Sequence, residues 1–102
     1  MNPMALNNTT LGMAVSTISS AELLPAVGHS IRIANNGNAD CFVVVTENVG
    51  DSVNIPTDGT SVKGTYIMAK SIEVFSIPAT TLYILAISEA NTSLMIQVGE
   101  GV

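Results

Sequence analysis

The stretch SIRIANNGNADCFVVV, residues 30–45, decides the fold class of this chain. Its first half alternates apolar and polar side chains, with Ile31 and Ile33 on one face, as in a half-buried strand. Its last five residues are all apolar, so both faces of a strand there would be apolar, which is typical of a strand covered on both faces. The Asn-Asn-Gly-Asn segment between them tolerates positive φ and favours a tight reversal. The stretch therefore predicts a β-hairpin at the centre of a small all-β domain.

Short β-prone segments lie on both sides of this hairpin. Residues 13–20 mix β-branched with small polar side chains, which favours a strand over a helix. Residues 72–77 predict another strand, in which Ile72 and Val74 face inward and Glu73 faces solvent. Both segments are short, as strands of an all-β domain usually are.

Two further segments predict strands of the core. Residues 81–88, TLYILAIS, are apolar at both parities and predict a central strand. In residues 92–98, Leu94, Ile96 and Val98 alternate with Met95 and Gln97, which predicts a closing strand. With a shorter strand at residues 66–69, the count reaches seven or eight strands and no amphipathic helix. We expect a single antiparallel β-sandwich over residues 13–102.

Two segments lack a continuous strand pattern. Residues 1–12 show no periodicity and predict an extended N-terminal arm that is mobile until it docks; a frayed terminus without a role is the alternative. Residues 47–64 are rich in Gly, Pro, Asp and Ser, and they predict a long surface excursion with short strands around Val53 and Val62.

The composition predicts that part of the surface is buried against other subunits. Only 11% of the residues are charged, against about 25% in typical soluble domains. A membrane span is the other explanation for so apolar a chain, but the longest apolar run, residues 82–87, is far shorter than the about 20 residues that a spanning helix needs. The first residues lack the layout of a secretory signal, so we expect synthesis in a cytoplasm without export.

No residue pattern predicts catalysis or nucleic-acid binding. The formal net charge is −5, whereas readers of phosphate backbones need clustered cations. His29 is the only histidine and no glycine-flanked serine elbow occurs, so a serine nucleophile lacks its partners. Cys41, the only cysteine, begins an apolar strand and is expected to act as a small hydrophobe. We therefore predict that the protein is not an enzyme.

No cofactor or metal site is predicted either. Asp51, Asn54 and Asp58 lack the spacing of a calcium-binding loop and are expected to be solvated turn residues. A pair of carboxylates for glycoside hydrolysis stays open at this point, because such pairs meet only in the folded chain. The chain has no Trp, however, and offers few aromatic side chains for a sugar-stacking platform.

The order of these segments resembles a known group of proteins. A polar arm, then STISSAELLPA, SIRIANNGNADCFVVV, a glycine-rich excursion, SIEVFSIPA and TLYILAIS with a closing strand is similar to the small β-sandwich decoration, or cement, proteins of tailed-bacteriophage capsids. The resemblance covers nearly the whole chain from Ser16 onward. The unusually long loop at residues 47–64 departs from it.

The resemblance implies a jelly-roll-like domain on the exterior of the virion, made in the host cytoplasm. Such a protein binds the outside of the expanded head, bridges neighbouring major capsid proteins and stabilises the shell as a homodimer or homotrimer. Residues 1–15 are then expected to become ordered only on the capsid. Hydrophobicity and arm position select the expected capsid or subunit contacts, which are Met4, Leu6, Leu11, Met13, Val43, Val45, Tyr83 and Leu85.

Two other functions remain open from the sequence. The first alternative is a receptor-binding or tail-associated β-sandwich module, which would bind bacterial cells or glycans rather than empty heads. A small hydrolase is a more distant third, and it would need a concave pocket with convergent polar groups.

Overall fold

A computed structural model describes residues 9–48, 50, 51, 53–57, 59, 61 and 63–99. This part of the chain forms eight β-strands and contains no helix, so it has no helix that could cross a membrane. The strands are β1 (Leu11–Val15), β2 (Ser20–Leu23), β3 (Ser30–Asn35), β4 (Cys41–Thr46), β5 (Thr65–Ile67), β6 (Ile72–Ser76), β7 (Tyr83–Ser88) and β8 (Thr92–Gly99).

The strands form two four-stranded antiparallel sheets in a sandwich-like arrangement. Sheet A has the order β1-β8-β3-β6, and sheet B has the order β2-β7-β4-β5. One hydrophobic cluster takes side chains from both sheets, among them Ile33 and Ile96 of sheet A and Val43 and Ile84 of sheet B. Since burial of apolar surface is the main favourable term in folding, this shared cluster holds the two sheets together.

The predicted β3–β4 hairpin is wrong, because the two strands lie in different sheets. β3 pairs with β8 and β6, whereas β4 pairs with β7 and β5. Both strands point apolar side chains into the same core from opposite sides, including Ile31 of β3 and Cys41 of β4. The connection at residues 36–40 therefore crosses from sheet A to sheet B instead of turning back within one sheet.

The Asn35 side chain fixes this crossing. Asn35 is only 2% exposed, and its Nδ2 donates to the carbonyls of Ala39 at 2.9 Å and Ile67 at 3.2 Å. Its Oδ1 accepts from Thr92 Oγ1 at 2.8 Å and from the Gly37 amide at 3.2 Å. Both N–H donors and both lone pairs of the Asn35 side-chain amide are thus used. A polar group whose hydrogen bonds are all made can be buried without a large loss of free energy.

Gly37 is needed in the same crossing because there is no room for a side chain. A Cβ atom at this position would overlap the Thr92 hydroxyl and would stand 2.8 Å from Thr92 Cα. Backbone atoms move less readily than the end of a flexible side chain, so the close approach of residues 37 and 92 requires glycine.

The strands nearest the core agree with the sequence pattern. β8 buries Leu94, Ile96 and Val98 on one face, as its alternation predicts. β4 and β7 each lie between two neighbours in sheet B, and they are the strands predicted to be covered on both faces. β2 lies mostly in a segment where the sequence pattern shows no strand. It is short and its side chains are mostly exposed, so it carries little of the period-2 signal.

The predicted orientation of β6 is reversed. Ile72 is 53% exposed and Val74 is 57% exposed, so neither faces the core. Phe75 packs against the core instead, directly opposite Ile31 of β3. Glu73 shares the parity of Phe75 but reaches solvent, because β6 is an edge strand. The inward site goes to the large aromatic ring, which buries more apolar area than an aliphatic side chain.

The loop at residues 47–64 covers the outer face of sheet B. Its Val53 is 2% exposed and packs with Phe42, Val44 and Leu85 on the side of the sheet away from the main core. The described part of the loop contains no strand, so the expected strand around Val53 is absent there; Val62 lies outside the described residues.

The predicted arm lies mostly outside the described residues. Of residues 1–12, the first eight are not described, and Leu11 and Gly12 already pair with β8 as the start of β1. The extension of residues 1–8 into an arm stays a prediction.

Candidate interaction surface

The outer face of sheet A is an uncovered strand surface among the described residues. Its central row runs across all four strands, because Gly12 lies opposite Met95, Met95 opposite Ala34, and Ala34 opposite Ile72. Directly opposite residues point to the same side of a sheet, and Met95 is 40% exposed, so the whole row faces outward.

The neighbouring rows of this face are short and carry one charge. One row contains Gln97, Arg32 and Val74, and another pairs Ala14 with Ser93. Arg32 is the only charged side chain among the outward-facing strand residues of sheet A. The face therefore combines small residues near β1 with exposed apolar side chains near β6.

The two outer faces of the molecule differ in one respect that matters for binding. The loop carrying Val53 buries the middle of the outer face of sheet B, and only side chains toward the sheet edges, such as Leu23 and Tyr66, are more than half exposed. No described segment covers the outer face of sheet A in this way. Exposed apolar patches of this kind mark interaction sites more often than scattered apolar residues do.

A shallow depression of about 240 Å³ lies at one end of this face. Its lining includes Met95, Ile72 and Lys70, the last in the connection between β5 and β6. Lys70 has a positive φ of 62°. The Lys70 amide donates to the Asn35 carbonyl at 2.9 Å, and its Nζ donates to the Asn36 carbonyl at 3.0 Å. These bonds hold a non-glycine residue in the left-handed region, which normally disfavours side chains.

Most of the contact residues expected from the sequence lie elsewhere. Met13 and Val43 are buried in the main core, and Leu85 is buried beneath the loop. Leu11, Val45 and Tyr83 are half-buried and pack against these clusters; Met4 and Leu6 lie outside the described residues. The open face uses a different set, which includes Ile72, Val74 and Met95.

The missed residues were only partly visible in the sequence. The alternation of β8 places Met95 opposite in parity to Leu94 and Ile96, and hence outward. Ile72 and Val74 gave no such signal, because an aliphatic pair separated by a glutamate favours the inward orientation that the structure reverses.

A groove of about 380 Å³ opens between the free side of β4 and the edge strand β6. β5 pairs only with the first half of β4, so the second half of β4 has no neighbour there among the described strands. The groove is lined by Val43, Val45 and Ile77 and by Phe75, with Lys63 among its other lining residues. Most of its lining side chains are apolar, and its few polar ones form no convergent set.

A third concavity, of about 300 Å³, contains the Asp40 carboxylate. Asp40 accepts hydrogen bonds from the Tyr66 hydroxyl and from the Ala69 amide, the latter at 2.7 Å. The hydrogen bond from Tyr66 is the larger of the two effects that hold the pKa of the Asp40 carboxyl below its usual value, and the bond from the Ala69 amide is the smaller. The hydrogen bond to Asp40 also raises the pKa of the Tyr66 hydroxyl. Glu89 also lines this concavity. Through its hydrogen bond with Tyr66, Asp40 connects the crossing at residues 36–40 to strand β5.

The residues considered for chemistry are structurally accounted for. Cys41 lies in the core, where burial raises its pKa to about 11, so its thiol is protonated at neutral pH. Asp51 accepts from Thr46 Oγ1 at 2.7 Å and from Asn48 Nδ2 at 3.1 Å, which closes the turn after β4. Across the described part of the chain, no three His, Cys, Asp or Glu side chains are grouped so that they could hold a metal ion. Asp58 lies outside the described residues.

Comparison with known proteins adds no relative. No family model, no curated protein and no solved structure matches this chain. The functional argument therefore depends on the residues and on the geometry of the open face.

Proposed function

We propose that this protein is a structural component of a tailed-bacteriophage virion that binds the outer surface of the head. In this role it bridges neighbouring major capsid proteins and stabilises the shell. The proposal begins from the resemblance of the segment order to capsid decoration proteins. It is supported by the two-sheet fold, the scarcity of charge and the uncovered face of sheet A.

The jelly-roll topology is part of the proposal. The first strand pairs with the last, the second with the second-last, and so on inward along the chain. The pairs are β1 with β8, β2 with β7, β3 with β6 and β4 with β5. This is the pairing of one long hairpin that has been rolled into two sheets, which is how eight strands form a jelly roll. The crossing at residues 36–40 is one of the places where the rolled hairpin passes between sheets.

The single observation that carries the function is the asymmetry between the two outer faces. The loop covers the middle of one face, and the other presents Met95, Ile72 and Val74 with one charge, Arg32, among its strand residues. A face of this composition loses little on desolvation, because few charged groups give up water when a partner covers it. A partner surface that is largely apolar and uncharged fits it best.

The test uses heads of the virus that encodes this chain, prepared without it. Ile72→Asp introduces a carboxylate on the apolar β6 side of the open face, where docking would bury it without a partner. We expect this variant to lose head binding by about tenfold or more in co-sedimentation, equivalent to about 1.4 kcal/mol. Wild-type protein should also raise the temperature at which the heads release DNA.

A matched control separates docking from general damage. Leu23 is 53% exposed, the same fraction as Ile72, but it lies on β2 in sheet B. Leu23→Asp should bind heads as wild type does. Equal binding by the Ile72→Asp and wild-type proteins would place the contact elsewhere, and absence of wild-type binding to heads would remove the capsid function.

The concavity around Asp40 gives the second candidate a specific basis. Tyr66 is 54% exposed beside two carboxylates, Asp40 and Glu89, an arrangement that suits a hydroxyl-rich ligand such as a glycan. A receptor-binding module of the tail would use this site. Binding of the wild-type protein to bacterial cells or purified glycans, lost in Glu89→Ala and unaffected by Ile72→Asp, would favour that function.

A further inference from the structure

The edge strand β1 lacks the features that usually prevent edge-to-edge pairing. Edge strands are normally protected by charged side chains, prolines, bulges or very short length. β1 has five residues, LGMAV, with no charge and no proline. Of the other edges, β2 contains Glu22, β6 contains Glu73, and β5 is only three residues long.

We infer that β1 pairs antiparallel with β1 of a second copy of this chain. A two-fold axis through Met13 would place Leu11 opposite Val15 of the second copy, and Gly12 opposite Ala14. Leu11, Met13 and Val15 share the inward face, and Gly12 and Ala14 share the outward face. The strand is therefore complementary to itself, as an isologous two-fold interface requires.

Charge favours this edge as the place where two copies meet. Each chain carries a formal net charge of −5, so two copies repel each other over most of their surfaces. Positions 1–21 contain no Asp, Glu, Lys, Arg or His, and the first ionisable side chain is Glu22. A seam along β1 brings the two acidic domains together where neither contributes a charged side chain.

The size of the open face also favours a second copy at this edge. Pairing would join both copies of sheet A into one eight-stranded sheet with β1 strands at its centre. With strands about 4.8 Å apart and about 20 Å long, one four-stranded sheet face offers roughly 380 Å² and the joined eight-stranded face roughly 770 Å². A stable protein–protein contact buries about 800 Å² on each partner. The inference thus deepens the proposed function, since the dimer supplies a docking face of the size that a capsid contact needs.

Sedimentation velocity of the free protein tests this pairing without any capsid. Wild type should sediment as a dimer at micromolar concentration. Ala14→Glu places a carboxylate on the exposed face of β1, next to the seam, and should give a monomer. The matched control is Ala21→Glu, at an exposed alanine of β2, the edge strand of sheet B, and it should remain dimeric.

A mixture of variants gives a sharper readout. In the proposed register, position 14 of one copy lies diagonal to position 14 of the other, at about 7–8 Å, within reach of long side chains. Ala14→Lys alone should also be monomeric, because its like charges repel. An equal mixture of Ala14→Glu and Ala14→Lys should recover the dimer, as a heterodimer that salt weakens.

Three results would overturn the pairing: monomeric wild type, a dimer that persists in Ala14→Glu, or a dimer lost equally in Ala21→Glu. If Ala14→Glu does not fold, by circular dichroism, wild-type hydrogen exchange decides instead: protection of the β1 amides must rise with protein concentration, and unchanged protection overturns the inference. If the protein is a dimer that does not bind heads, only the capsid function is contradicted. If it is a monomer that binds heads, only the β1 pairing is contradicted.

Discussion

At the scale of single residues, the buried amide of Asn35 connects three parts of the fold. It joins the end of β3 to β5 through the Ile67 carbonyl and to β8 through Thr92. Its partners are 32 and 57 positions away in the chain. The sequence showed Asn35 only as one of several turn residues, because local patterns do not reveal partners so distant.

Replacing Asn35 by aspartate should be severely destabilising. Asn35→Asp keeps the shape but turns an oxygen toward the Ala39 and Ile67 carbonyls, which now accept from Nδ2. We expect a loss of about 3–5 kcal/mol in the free energy of unfolding, measured by urea denaturation, because the new carboxylate oxygen has no donor and the two carbonyls lose the donor that Nδ2 supplies. Asn36→Asp, at the exposed neighbour, should change stability by less than about 0.5 kcal/mol. Similar midpoints for the two variants would contradict this role of Asn35.

The bond between Tyr66 and Asp40 should make stability depend on pH in the acid range. The pKa of Asp40 is lowered in the folded state, so the bond stabilises the fold above the unfolded carboxyl pKa of about 4. That contribution is lost as pH falls through the lowered folded pKa. Tyr66→Phe should therefore lower the urea midpoint at neutral pH and differ less from wild type as pH falls below about 4.

Tyr83→Phe serves as the control for this pH series. The Tyr83 hydroxyl makes no hydrogen bond to Asp40, both residues lying in the described part of the chain. Its difference from wild type should stay constant across the acid range. A Tyr66→Phe difference that is equally independent of pH would show that the Asp40 carboxylate does not stabilise the fold through this bond.

At the scale of strands, the sequence predicted which faces are apolar better than it predicted which strands pair. The alternation of β8 and the double-sided apolarity of β4 and β7 are confirmed by burial. The hairpin between β3 and β4 is wrong, because Asn-Gly segments suit a crossing between sheets as well as a reversal within one. Periodicity alone carries no information about the partner strand.

The candidate surface was harder to predict than the fold, since it depends on the orientation of an edge strand. In β6, side chains of both parities have access to solvent, so the period-2 pattern does not decide which of Ile72 or Phe75 faces the core. The pairing of Phe75 with Ile31 decides it, and that pairing is a long-range property. The sequence predicted that β4 is covered on both faces, and the loop carrying Val53 supplies the cover on the outer face of sheet B.

The covering loop should depend on Val53 as its anchor. Val53→Asp places a carboxylate against Phe42 and Leu85, so the loop should open while the main core remains. We expect faster proteolytic cleavage within residues 47–64 and weaker hydrogen-exchange protection in β4 and β7. Asn54→Asp, at the exposed adjacent position, should be cleaved at the wild-type rate. Equal cleavage of both variants would contradict the anchoring role.

At the scale of the whole molecule, the chain covers one outer face itself and leaves the other open. The loop after β4 completes sheet B, whereas sheet A is flanked by the uncharged edge of β1 and presents apolar side chains from β6 and β8. Both features belong to sheet A, to which we assign the proposed contacts. The few charges of the chain are consistent with a protein that functions as part of a larger shell.

The most direct measurement is cryo-electron microscopy of heads incubated with the purified protein. We predict ordered density on the outside of the shell in which the face with Met95, Ile72 and Val74 lies against the major capsid protein. The loop at residues 47–64 should then point away from the shell, since it covers the opposite sheet. Density with sheet B toward the capsid, or heads that remain undecorated at saturating protein, would contradict the proposed function.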